Sequence, residues 1–185
     1  GLTAAILVVL VIAIPAASFF LGVESVERPV TVDGDFSEWS GLRTAGPALD
    51  WPSENPDIRL VRYGFVASDT TGYFYARVDG TMLGGADVGG GVFGMDTLYI
   101  FIETAGAGTG SAGMRYPIGG LLADHAIVVE GYGNGIVRAD HMSYRGPDPA
   151  LVNLPTEDDW SRWVPDNAVT AELSRDSVEI SCVFN

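Results

Sequence analysis

From Leu2 to Val23 the chain carries no charged residue; the first is Glu24. A run of that length leaves few choices. As a helix, at about 1.5 Å per residue, it would extend roughly 33 Å, close to the hydrocarbon thickness of a bilayer. Val8, Val9, Leu10, Val11, Ile12 and Ile14 would then surround the helix on all sides. A helix apolar all round must be buried all round, in lipid or among copies of itself. The expected assembly surface is Leu2, Ile6, Val9, Leu10, Ile12, Pro15, Phe19 and Phe20. Pro15 removes one backbone donor and would bend or loosen the helix. Pro29 discourages its continuation. The expected organisation is therefore a hydrophobic N-terminal helix over 1–25 and a β domain over 26–185.

Three readings of the apolar run compete. A secretory signal would open with Met and a basic segment, and neither precedes this run. A plain membrane anchor fits the hydropathy equally well. The third is a processed segment that begins directly on the apolar helix. Gly1-Leu2-Thr3-Ala4-Ala5-Ile6-Leu7-Val8-Val9-Leu10 resembles the mature N-terminus of archaeal type IV-like pilins, and Pro15 is similar to the helix prolines of that family. Ala5 stands where bacterial members usually carry Glu, a departure shared by many archaeal ones. The resemblance implies a structural subunit, held in the membrane before assembly. Identical copies would then polymerise into a helical filament outside the cell, for adhesion or surface attachment. The other reading is a membrane-anchored extracellular module that binds carbohydrate or another solute.

Beyond Pro29 the periodicity becomes two. Phe74, Ala76 and Val78 alternate with Tyr73, Tyr75 and Arg77; Leu98, Ile100 and Ile102 with Thr97, Tyr99 and Phe101; Val178, Ile180 and Cys182 with Glu179, Ser181 and Val183. Such alternation predicts strands with one face in a core. About eight are expected, near 30–33, 58–67, 72–79, 96–103, 124–132, 136–144, 168–173 and 177–184. Gly133-Asn134-Gly135 between two of them predicts a hairpin, since Asn-Gly tolerates the positive φ of a tight turn. With 24 Gly and 10 Pro, the composition favours short strands and turns. The expected fold is mainly β, an antiparallel β-sandwich carrying the long N-terminal helix.

Charge narrows the partners. Formal net charge is −14, and all ten basic residues are Arg. So negative a surface repels phosphate backbones, which excludes nucleic acid as the expected partner. The single cysteine, Cys182, permits no intrachain disulfide and alternates with core positions.

Val30-Thr31-Val32-Asp33-Gly34-Asp35-Phe36-Ser37-Glu38-Trp39 resembles the opening of family 9 carbohydrate-binding modules and their DOMON-like relatives. Stretches 57–64, 73–78, 96–102 and 123–125 are similar to the same pattern. The resemblance implies a sandwich and says less about a ligand. The loop where relatives place calcium reads Glu103-Thr104-Ala105-Gly106-Ala107-Gly108-Thr109-Gly110, too poor in oxygen donors for that ion. Asp33-Gly34 is expected to form a tight turn, with Trp39 plugging one end of the sandwich. Glycan binding would use Trp51, Trp160 and Trp163, which lie in Pro-, Asp- and Ser-rich connections. For catalysis the inventory is thin: His125 and His141 are the only histidines. Each follows an Asp, and across a hairpin they are expected near opposite ends of their strands. No catalytic residue, metal site or cofactor is expected.

Overall fold

The computed structural model describes residues 7–14, 30–46, 55–68, 70–87, 89–104, 116–118, 121–146 and 160–184. Among these, thirteen strands form: β1 (Leu7–Ile14), β2 (Thr44–Ala45), β3 (Leu60–Ser68), β4 (Thr71–Val78), β5 (Ala86–Asp87), β6 (Phe93–Gly94), β7 (Asp96–Thr104), β8 (Tyr116–Ile118), β9 (Leu121–Ala123), β10 (His125–Tyr132), β11 (Gly135–Tyr144), β12 (Trp163–Leu173) and β13 (Ser177–Val183). Nine of them make one continuous sheet in the order β1-β7-β10-β11-β12-β13-β4-β3-β2, while β5-β6 and β8-β9 are small separate ribbons.

One strand turns this sheet back on itself. The eleven-residue β12 pairs through its first half with β11 and through its second half with β13. Phe74 of β4, Ile100 of β7, Ile127 of β10 and Ile180 of β13 are fully buried in a single cluster, so the concave face closes on its own apolar side chains. The alternation read in the sequence is what allows this, because residues i and i+2 share a face. The result is one curled sheet of eight antiparallel strands with β1 added in parallel, rather than two separate sheets.

The expected long N-terminal helix is not what forms. Residues 7–14 are a strand, running parallel to β7 with Leu10 opposite Ile100 and Ile12 opposite Ile102. Among the described residues no helix is long and apolar enough to cross a membrane. The local chemistry accounts for the difference. Five of the eight residues in Leu-Val-Val-Leu-Val-Ile-Ala-Ile are Val or Ile. These lose side-chain freedom in a helix and pack well on a pleated surface. β7 supplies the edge for them to pair with. Hydropathy and length fit a strand as well as a helix, and β-branching favours the strand.

Two turns set the rest. The hairpin between β10 and β11 has Gly133 at φ 61° and Asn134 at φ 59° as its central pair, one residue earlier than the Asn-Gly expected. Both positive angles belong to the turn whose twist matches flanking strands. The Asn134 side-chain amide then donates to the carbonyls of Met82 and Ser174, docking the hairpin tip. The expected strand at 30–33 does not form. Instead Asp33 and Gly34 present their backbone N–H groups to the fully buried Glu179 carboxylate of β13, at 2.8 and 2.6 Å. The Trp39 indole donates to the same carboxylate at 3.3 Å and stacks on Tyr75. Trp39 is therefore buried, but on the convex face of the curled sheet against Tyr75 rather than plugging one end of a sandwich as expected. What sequence reading missed is that Glu179, in an ordinary alternating strand, is its anchor.

Candidate functional site

Two groups of residues are candidates in the sequence, the assembly segment and the tryptophans; the two histidines are not, and the structure treats all three differently. Of the assembly residues, Leu2, Ile6, Pro15, Phe19 and Phe20 lie outside the described residues. Val9, Leu10 and Ile12 lie on β1, opposite Tyr99, Ile100 and Ile102 of β7. β1 is the terminal strand of the sheet, so among the described residues its outer edge pairs with no further strand. It carries no charge and no proline over eight residues.

Of the three tryptophans, the two described ones lie side by side, Trp160 and Trp163 with ring centroids 5.8 Å apart and tilted by 39°, but differ in exposure. Trp51 lies outside the described residues. Trp163 opens β12 and is 4% exposed, packed with Phe101, Met142 and Tyr144 on the convex side of the sheet. Trp160, in the short 3-10 turn Trp160–Arg162, is 36% exposed and stacks on Tyr99 with ring centroids 5.0 Å apart. Among the described tryptophans, Trp160 alone offers a partly exposed ring, leaning on a core edge.

The histidines are brought together, against the expectation. In an antiparallel hairpin the start of β10 lies beside the end of β11, so His125 and His141 share one end rather than opposite ends. A register shift at Glu130/Gly131 then matters. It places Ile127 opposite His141 and Ser143 opposite His125. Unshifted, His141 would face Ala126, and the two imidazoles would point to opposite faces, because strand side chains alternate with period two. With the shift, His125 Nδ1 lies 2.9 Å from His141 Nε2 and the rings stack at 5.0 Å.

A second irregularity adds a carboxylate. Asp140 pairs with Ala168 and Met142 with Pro165, so two residues of β12, Asp166 and Asn167, lie opposite His141 alone. This bulge turns Asp166 toward the histidines. One ligand atom from each of His125, His141 and Asp166 lies within 4.8 Å of the others. Ser143 donates its hydroxyl to Asp166 and lies 3.4 Å from His125 Nδ1. The Phe184 ring caps the group edge-on, 5.6 Å from His125 and 5.2 Å from His141.

The electrostatics follow from burial. His141 is 0% exposed, and burial pushes its imidazole down to about 4, with the neighbouring His125 adding to the effect against the opposing charge of Asp166. His125 is lowered too, chiefly by burial, against the pull of Asp124 and Asp166. Asp166, exposed at the mouth, is held below its ordinary value mainly by the Ser143 hydrogen bond. At neutral pH the group therefore presents two neutral imidazoles and one carboxylate. His141 Nδ1 has no hydrogen-bond partner among the described residues, so the buried ring's polar engagement is all through Nε2, into this cluster. Cys182 is close enough to feel Asp166 but is buried, its thiol pushed up to about 12 chiefly by desolvation, which makes it inert.

Asp124-His125 and Asp140-His141 were visible in sequence; Asp166 and Ser143 were not. Only the two register shifts join them, and neither shift has a sequence signature here. The comparisons add no further assignment: no family model, no curated protein and no solved structure matches the chain.

Proposed function

We propose that this chain is the structural subunit of a pilus-like homopolymer on the cell surface, assembled through its apolar N-terminal segment. The observation that carries the reading is β1, an uncharged eight-residue strand added in parallel to the edge of an otherwise antiparallel sheet. Natural sheets protect such edges with charge, proline, bulges or brevity, because an open apolar edge recruits other chains. A strand without those devices suits donation to the β7 edge of a neighbouring copy.

Assembly would work by strand exchange. Fifteen residues separate Ile14 from Val30. At full extension they could reach about 50 Å, enough for β1 of one subunit to pair with β7 of the next. Such a contact is head-to-tail, and head-to-tail contacts that do not close produce fibres. Backbone hydrogen bonds would supply affinity, as in other strand-addition complexes. The acidic domain would coat the outside, and its charge would keep fibres apart from one another and from nucleic acid.

The test is negative-stain microscopy and sedimentation of the full chain beside a Val9→Lys/Val11→Lys variant. Two charges in the pairing strand should abolish fibres while the β domain keeps its circular dichroism. Fibres of equal number and length in the variant would refute the assignment.

A further inference from the structure

A buried imidazole pair is costly to keep without a task, because taking polar groups out of water is repaid only by full hydrogen bonding. The same sheet shows what full satisfaction looks like: Glu179, equally buried, accepts from three donors. The His125–His141 pair has less: its facing nitrogens share one contact of 2.9 Å, with the Ser143 hydroxyl 3.4 Å from His125 Nδ1. Two bulged registers are nonetheless spent on bringing His125, His141 and Asp166 to one point.

We propose that His125 Nδ1, His141 Nε2 and an Asp166 oxygen form a binding site for a divalent transition-metal ion of the zinc class, clipping β10, β11 and β12 together. Two imidazoles and one carboxylate are a donor set for such ions; hard ions such as calcium and magnesium prefer oxygen alone. Two nitrogens bound to one tetrahedral zinc stand about 3.3 Å apart, so the 2.9 Å pair need open by only about 0.4 Å. Asp166 is exposed, with a carboxylate oxygen within 4.8 Å of both histidine nitrogens, and three protein ligands would leave a fourth position for water. Ser143 supplies the outer contact that orients a ligating carboxylate. In a chain with one cysteine, a metal clip across three strands does what a disulfide cannot.

The test uses the full chain, treated with chelator and then titrated with Zn²⁺ alone by calorimetry, with Tm followed in parallel. Co²⁺ gives a second readout through its visible absorption. Zn²⁺ should bind one-to-one with Kd below about 1 μM and raise Tm, as any ligand of the native state does. Co²⁺ should show the intense bands of a tetrahedral nitrogen–oxygen site, and millimolar Mg²⁺ should not compete. Asp166→Asn, at an exposed position that leaves the core intact, should weaken Zn²⁺ at least tenfold; Ser143→Ala should weaken it about tenfold. His125→Gln should abolish the Co²⁺ bands. Absence of Zn²⁺ binding up to about 1 mM would overturn the proposal. So would binding that persists unchanged in His125→Gln/Asp166→Asn, which would belong to surface carboxylates.

Discussion

The sheet ends in two strands of opposite character. At one end is β2, two residues long, Thr44–Ala45, paired to Gly64 and Tyr63 of β3. At the other is β1, eight residues long, apolar and parallel to β7. The short edge is reinforced from behind. A side chain at Gly64 would come within 3.1 Å of both Thr44 and Trp39, so a glycine there lets the indole and the edge lie flat on β3. Trp39 in turn hangs from Glu179. Brevity and cover are standard defences of an edge strand. β1 has neither charge nor brevity. Among the described residues one edge of the sheet is thus short and backed by Trp39 while the other ends in a long apolar strand, and the proposed head-to-tail polymer rests on this asymmetry.

The contrast can be broken from the short edge. Glu179→Ala removes the acceptor of two backbone N–H groups and the Trp39 indole, leaving them buried and unpaired. A loss of about 3 kcal/mol is expected in urea unfolding, from the penalty for unsatisfied buried donors. The edge at β2 should loosen with it, so Glu179→Ala combined with Val9→Lys/Val11→Lys should regain association through the wrong edge. Light scattering would detect it; a monomeric triple variant would mean that β2 needs no guard.

A smaller effect concerns the strand that receives β1. Asp96 opens β7, is 5% exposed, and accepts a hydrogen bond from Gly85 N–H at 2.8 Å. Burial pushes its carboxyl above the usual range, outweighing that hydrogen bond, and the charge of Asp57 adds to the shift. A group with a raised folded value favours the fold below its ordinary value and loses that advantage as pH rises through the folded one. Asp96→Asn keeps an acceptor without the charge. Wild type and variant should therefore match near pH 3–4 and diverge above it, the variant becoming more stable by less than about 1 kcal/mol. The opposite divergence would show Asp96 to be stabilising as a carboxylate.

The smallest expected effect is none. If β1 is an added strand rather than part of the core, charging it should leave the interior shut. Cys182, buried in β13 with its thiol near 12, should resist iodoacetamide at pH 8 equally in wild type and Val9→Lys/Val11→Lys. Rapid labelling of the variant would make β1 integral to the fold.

What could be read ahead of the structure was what depends on near neighbours in sequence. Period-two runs such as 96–103 and 177–184 became β7 and β13, and Gly-Asn gave the hairpin within one residue of its predicted place. The Asp33-Gly34 turn and the burial of Trp39 were legible within one short motif, whereas its seat on the convex face, against Tyr75 and Glu179, was not. The N-terminal segment was misread because hydropathy alone does not separate strand from helix, and the partner edge of β7 lies some ninety residues away. The histidine cluster escaped for a related reason. A single-residue register shift decides which face His125 and His141 share, and Asp166 arrives only through a second bulge. Long-range register is set by packing, which a local reading does not contain.

Where β1 pairs once subunits assemble decides whether strands are exchanged. Ala13 lies opposite Glu103 in the β1–β7 register, so Ala13→Cys/Glu103→Cys in a Cys182→Ala background can form a disulfide across the two strands. Assembled from equal amounts of ¹⁴N and ¹⁵N subunits and oxidised, the fibres should yield cross-linked peptides of which about half carry one label of each kind, the fraction random head-to-tail exchange gives. Cross-links joining only like-labelled peptides would mean that each β1 stays on its own β7, and that subunits join by some other surface.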